Sequence, residues 1–284
     1  MTHSHSKATT TVKESVADEM NVMLASIGAF VFYSLGAVTQ GRRVFSQSGS
    51  RQLVLAATAA GAVFQTVALY LSLHGPGGIN LGLFNIASLS SLMVTIVVLL
   101  SSLRKPSESL FLLILPFTIL TVLLAWLAPV DHIVWRPPSM MVAHVLLSVL
   151  AYGILMVAAF QALMLSYQER QLKHHNRRKI MQALPPLQTM EKLLFEYVAV
   201  GLILLTLALV SGFLFMDDMF AARIIHKTIL SILAWGLFAT LLTGRKLYGW
   251  RGQTATRWTV AGLVMLMVAY FGWHLVVELL LTSH

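Results

Sequence analysis

Five histidines, His74, His132, His144, His226 and His274, fall at the same side of a chain built almost wholly of apolar stretches. Imidazole is expensive to place in or beside lipid, yet it is a favoured axial ligand of haem iron, so histidines clustered at one membrane face predict haem chemistry. His144 is followed at intervals of four by Ser148 and Tyr152, which places three polar groups on one helix face. His274 has Tyr270 and Glu278 one turn to either side, and Glu278 is suited to accept the second ring proton of a metal-binding imidazole. His226 and Lys227 open another apolar stretch shortly after Asp217, Asp218 and Arg223, and His74 closes one just before Gly75-Pro76-Gly77-Gly78. The expected site therefore combines His144 and His274 as iron ligands with His226 and His74 as further candidates. Lys227, Arg223 or Arg136 would meet the propionates of a b-type haem.

Each residue also has a plainer reading. His132, between Trp126 and Trp135, suits an interfacial anchor, as does His74. His226 suits a salt-bridged helix end, whereas His144 and His274 lie too deep for anchoring. Most of the fourteen methionines, Met140, Met141, Met216 and Met219 among them, are expected to be packing. Asp217 and Asp218 suit a solvated turn, and His3 with His5 an incidental pair in a polar tail. The chain has no cysteine, which removes thiolate metal sites, iron-sulfur clusters and thiol chemistry. It also has no phosphate-cradling glycine loop, no H-E-x-x-H and no nucleophile elbow, so hydrolase chemistry has no support.

The elements that must position these residues follow from composition. With 57% hydrophobic residues, 11% charged ones and a mean hydropathy of +0.77, 284 residues cannot form a water-soluble globule. Stretches long enough to cross about 30 Å of hydrocarbon run near 21-39, 53-73, 83-103, 109-128, 138-167, 193-215, 224-243 and 258-281. Their length excludes barrel strands. The predicted fold is an all-α polytopic bundle of eight transmembrane helices, residues 21-284, preceded by a disordered polar tail over 1-20. One bundle is expected, with a kink at Pro116 and a fifth helix projecting past the lipid until Pro185 and Pro186 stop it.

The loops near 40-52, 104-108, 168-192 and 244-257 hold fifteen of the twenty Lys and Arg residues. The excess of basic residues in every second loop marks the cytoplasmic side and puts both termini outside it. The charge of +9 thus sets orientation and attraction to anionic lipid, and nucleic acid is not an expected partner. The basic segment 168-192 is a candidate contact for a cytoplasmic partner.

Several motifs carry a resemblance. H-K-T-I-L-S-I-L-A-W at 226-235, G-R-K-L-Y-G-W-R-G at 244-252 and A-Y-F-G at 269-272 resemble the closing segment of the cytochrome c assembly membrane proteins, the CcsA, CcmC and HemX group. H-V-L-L-S-V-L-A-Y at 144-152 and L-G-L-F-N-I-A-S-L-S at 81-90 resemble earlier helices of the same family. Within it the chain is most similar to the YpjD-type inner membrane proteins. The resemblance implies a helical bundle in the bacterial inner membrane that holds haem near the outer leaflet, with His144 matching one extracytoplasmic ligand histidine and haem-delivery or cytochrome c maturation proteins as partners. It departs from the haem-delivering members at F-L-F-M-D-D-M-F-A-A-R, 213-223, which stands where they carry a tryptophan-rich loop, and at Thr243, where they carry a histidine. Their second outer histidine is also missing. Three functions follow: a haem-binding protein of haem handling or cytochrome c maturation, a binder more than an enzyme; a HemX-like regulatory or scaffolding protein; or a transporter subunit with His144, Glu278 and Lys227 lining a path.

Overall fold

The computed structural model describes residues 2-75, 78-80, 82-105, 107-127, 133-134, 139-173, 185-215 and 225-281; the side chains of 2-18, 75, 133-134, 139, 173, 215 and 270-281 lie outside that description. Among the described residues, eight α-helices follow in order: α1 Thr2–Phe45, α2 Arg51–Leu73, α3 Leu83–Arg104, α4 Phe111–Leu127, α5 Ser139–Lys173, α6 Leu187–Phe215, α7 Ile225–Tyr248 and α8 Gly252–Leu281. Seven of them, α1 to α7, contain segments long and apolar enough to cross a membrane. Helices win here because a backbone in lipid must satisfy its own N–H and C=O groups within the segment. Several helices outrun the predicted apolar stretches at their basic ends, α1 through Arg43 and α7 through Lys246. Long cationic side chains can reach polar surroundings while their backbone stays helical.

The helices share one apolar core, and within it they fall into two groups. In α1 to α4 each helix packs on the next and α4 returns to α1; in α5 to α8 the same cycle closes through α8 on α5. Two four-helix rings result, joined chiefly where α3 meets α5. Small residues permit the close crossings, as expected where lipid provides no hydrophobic drive between helices. Gly201 of α6 lies against the Leu155 side chain, and Gly61 of α2 lies against the ring of Tyr33. At the α3–α5 junction a Cβ on Gly153 would sit 3.5 Å from Met93 Cβ.

Three further details bear on the expected layout. The fold is all-α as expected, with one small antiparallel sheet in its connections, β1 His74–Gly75, β2 Gly78–Asn80 and β3 Ile133–Val134, in the order β1-β2-β3. His74 is registered with Ile79 and Ile79 with Val134, which ties the α2–α3 connection to the loop after α4. Runs this short carry no readable alternation, and pairing satisfies backbone groups that the turns leave open. Helix α1 is drawn from Thr2, through the stretch expected to be a disordered tail. Its Val12-Lys13-Glu14-Ser15-Val16-Ala17 stretch holds no Gly or Pro to stop a helix propagating outward from the apolar part, Glu19–Phe45. The predicted projection of α5 is described as far as Lys173, and 174-184 lies outside the described residues. Thirty-five residues at about 1.5 Å each exceed the hydrocarbon thickness.

Candidate functional site

The helix directions place the start of α5, the end of α6, the start of α7 and the end of α8 at one end of the second ring. His144 sits in the second turn of α5, half-buried, and its Nδ1 lies 2.9 Å from Ser211 Oγ of α6. Ser211 Oγ donates its single proton to the Ala208 carbonyl at 2.8 Å. With its proton on that carbonyl, the hydroxyl offers the imidazole lone pairs, an arrangement that suits the tautomer with the proton on Nδ1. A neutral ring then has its lone pair on Nε2, the nitrogen suited to bind a metal. Sequence reasoning placed His144 but missed Ser211, whose apolar setting gave no sign that it faced α5.

His226 and Lys227 occupy the first turn of α7, both half-buried, and α7 meets α6 and α8. Farther along α7, Trp235 Nε1 donates to Thr206 Oγ1 of α6 at 2.9 Å, which fixes the α6–α7 crossing. His74 belongs to the first ring, where it is exposed, rests its ring on Tyr70 with centroids 4.5 Å apart and has Nδ1 3.0 Å from the Tyr70 carbonyl. That arrangement fits an anchored helix end. The backbone of His274 lies in α8, but its side chain and those of Tyr270 and Glu278 are outside the described residues. Arg223, His132, Arg136, Asp217, Asp218, Met216 and Met219 lie outside the described residues altogether. Among the described residues, no group of three or more His, Asp or Glu side chains converges as a metal site.

The first ring holds a feature that sequence reasoning overlooked. Tyr33 donates to Gln65 Oε1 at 2.7 Å, and Gln65 Nε2 donates to Ser88 O at 3.0 Å, Ser88 Oγ at 3.0 Å and Ser91 Oγ at 3.2 Å. Ser91 Oγ then meets Thr121 Oγ1 at 2.7 Å, and Thr95 Oγ1 meets Thr118 Oγ1 at 3.0 Å. All of these side chains are buried, so the network ties α1, α2, α3 and α4 together at mid-depth. Ser88, Ser91 and Thr95 recur at helical spacing along α3, the one signal that could have revealed it.

At the opposite, basic end, the four carboxylates of the loops and helix ends are all engaged. Glu108 takes Arg43 at 3.3 Å and also Arg51, Glu196 takes Lys105, and Glu191 takes Arg251 at 3.0 Å. Glu169 accepts from Gln253 at 3.0 Å. Glu191 beside Arg251 holds that guanidinium above its usual range. The G-W-R-G stretch is the clasp here. Gly249 and Gly252, at φ +64° and +55°, turn the chain between α7 and α8 where a side chain would be strained. Trp250 covers Gly244 and stacks on Trp258 with centroids 5.2 Å apart, and Gln253 pairs with Ser166 of α5, whose Oγ donates to Gln253 Oε1 at 3.1 Å.

Residues 52-281 match the profile of a family described as "Cytochrome C assembly protein". The chain is 33% identical over 257 residues to "Inner membrane protein YpjD" of Escherichia coli strain K12, covering 89% of this chain and 97% of that protein. It is 29% identical over 189 residues to an "Uncharacterized 28.8 kDa protein in nifR3-like 5'region" of Azospirillum brasilense, covering 64% of this chain and 69% of the relative. No solved structure matches the chain.

Proposed function

The chain belongs to the cytochrome c assembly protein family, and on that premise we propose that it is a haem-binding member that holds b-type haem in the outer half of the α5–α8 ring. It is a multi-pass inner membrane protein. In this reading α8 is its eighth span, both termini face away from the cytoplasm, and the protein handles haem for cytochrome c maturation without catalysing a reaction of its own.

The observation that carries the reading is the His144–Ser211 bond. It supports an imidazole held by Nδ1 and left with Nε2 as a ligand, as metal-binding histidines are commonly oriented. Helix register supports His274 as the second ligand. Thr256 of α8 donates to the Ala162 carbonyl of α5 at 3.2 Å, and these helices run antiparallel. His144 and His274 stand eighteen residues from Ala162 and Thr256 respectively, which is five full turns at 3.6 residues each, so both positions return to the facing sides at one level. Lys227, at the same end of the ring on α7, is the cation we assign to a propionate, with Arg223 beside it in sequence. His226 is the alternative second ligand on the same turn. His74, anchored in the other ring, is not assigned a ligand role.

Absorbance of the purified protein in the Soret region, titrated with haem, tests the proposal. Wild type should bind one haem, His144→Ala should lose it, and His274→Ala should lose it or shift the spectrum to five-coordinate. Unchanged binding in His144→Ala, with folding intact, overturns the assignment and favours a scaffolding role.

A further inference from the structure

A cavity of about 410 Å³ opens at the basic end between α6 and the α7–α8 turn, lined by Gln188, Glu191, Lys192, Arg245, Gly249 and Arg251. We infer that it binds the phosphate headgroup of an anionic phospholipid. The charge balance is the first reason. In two other clusters at this end carboxylates take up the cations, Glu108 between Arg43 and Arg51 and Glu196 on Lys105. This cavity instead gathers three cations around the single carboxylate of Glu191, a formal excess of two positive charges.

The donor set is the second reason. Arg245 rests on the Phe195 ring, with Cζ 3.7 Å from the centroid. Stacking uses the face of the guanidinium and not its in-plane N–H groups, which suit phosphate oxygens. Lys192 contributes an exposed ammonium, and the Gln188 amide adds a neutral donor. At Gly249 a Cβ would meet nothing within 4 Å, so the rim is open.

Location identifies the source of the phosphate. Leu247 and Tyr248, which precede Gly249 of the lining in sequence, are exposed by 70% and 75%, and Tyr248 stacks toward Trp250 at 6.2 Å. Exposed apolar and aromatic groups beside clustered cations at a helix end match the headgroup level, where a lipid can seat its phosphate while its chains stay in the bilayer. A soluble phosphate compound has no use for that apolar rim. This inference concerns the end away from the histidines and does not depend on haem.

The test is native mass spectrometry of the delipidated full-length protein, titrated with dioleoylphosphatidylglycerol or dioleoylphosphatidylcholine. Retention of the anionic lipid should be favoured by about tenfold, and Lys192→Gln and Arg245→Gln should each reduce it by about fivefold. Arg245→Lys, which keeps the charge, should retain most of it. Lys246→Gln removes an exposed cation outside the cavity and should change nothing. Equal retention of the two lipids overturns the inference, as does an effect of Lys192→Gln no larger than that of Lys246→Gln. Displacement of the lipid by inorganic phosphate at comparable concentration would refute the lipid as the source. Lys192 is exposed, so its variant reads binding without risk to the fold.

Discussion

Replacing Gln65 by leucine removes the centre of the polar network in the first ring. Leucine is close to glutamine in size, so the perturbation is the loss of the bond from Tyr33 and of the two amide protons that Nε2 shares among Ser88 O, Ser88 Oγ and Ser91 Oγ. Interhelical hydrogen bonds in membranes are worth about 0.6 kcal/mol on average and up to about 1.7. One accepted bond and two donated protons predict a loss of about 2 kcal/mol. Tyr33→Phe removes one short bond, 2.7 Å in length, and should cost about 1 kcal/mol. The two changes share that bond, so the double variant should cost about 1 kcal/mol less than the sum of the singles. Unfolding in mixed micelles by titration with dodecyl sulfate, followed by tryptophan fluorescence, measures all four corners of the cycle. Strict additivity would refute the argument, because it would mean that Tyr33 and Gln65 do not depend on each other.

Three other outcomes are expected. Ser211→Ala should weaken haem retention by at least about tenfold, because it frees the tautomer and orientation of His144; Soret titration measures it, and the loss should be smaller than in His144→Ala. Gly244→Val should lower the melting temperature by several degrees, since any side chain there enters the Trp250 ring, at about 1–3 kcal/mol for overpacking; differential scanning fluorimetry reports it, and Thr243→Val beside it should be nearly silent. The chain lacks cysteine, so single replacements report topology without background. Ser48→Cys should react with an impermeant maleimide only after the inner membrane is opened, and His74→Cys should react in intact cells treated to permeabilise the outer membrane alone.

The residues differ in how much of this was readable beforehand. His144 stood out because a histidine two turns into an apolar helix has few inexpensive explanations, and its neighbours on α5 mark the buried face. Ser211 gave no such sign, since a serine between apolar residues is ordinary in membrane helices. Gln65 was passed over although an amide in mid-span needs partners, and its partners come from α1 and α3, far off in sequence. The G-W-R-G turn was legible as a motif, but its work of clasping α5, α7 and α8 was not. His74 read as a ligand candidate as readily as an anchor, and its contacts with Tyr70 fit the anchor.

Sequence alone determined the class, the places of the apolar helices and the gathering of positive charge at one end. Those are local properties: in lipid each helix closes its own hydrogen bonds, and each loop carries its own charge. Only tertiary structure decided that the helices divide into two four-membered rings, that β1, β2 and β3 knit two distant connections, and that His144 meets Ser211. Apolar helix faces are nearly interchangeable to lipid, so partner choice rests on the fit of a few small residues and on polar side chains that find one another only when the helices are already side by side.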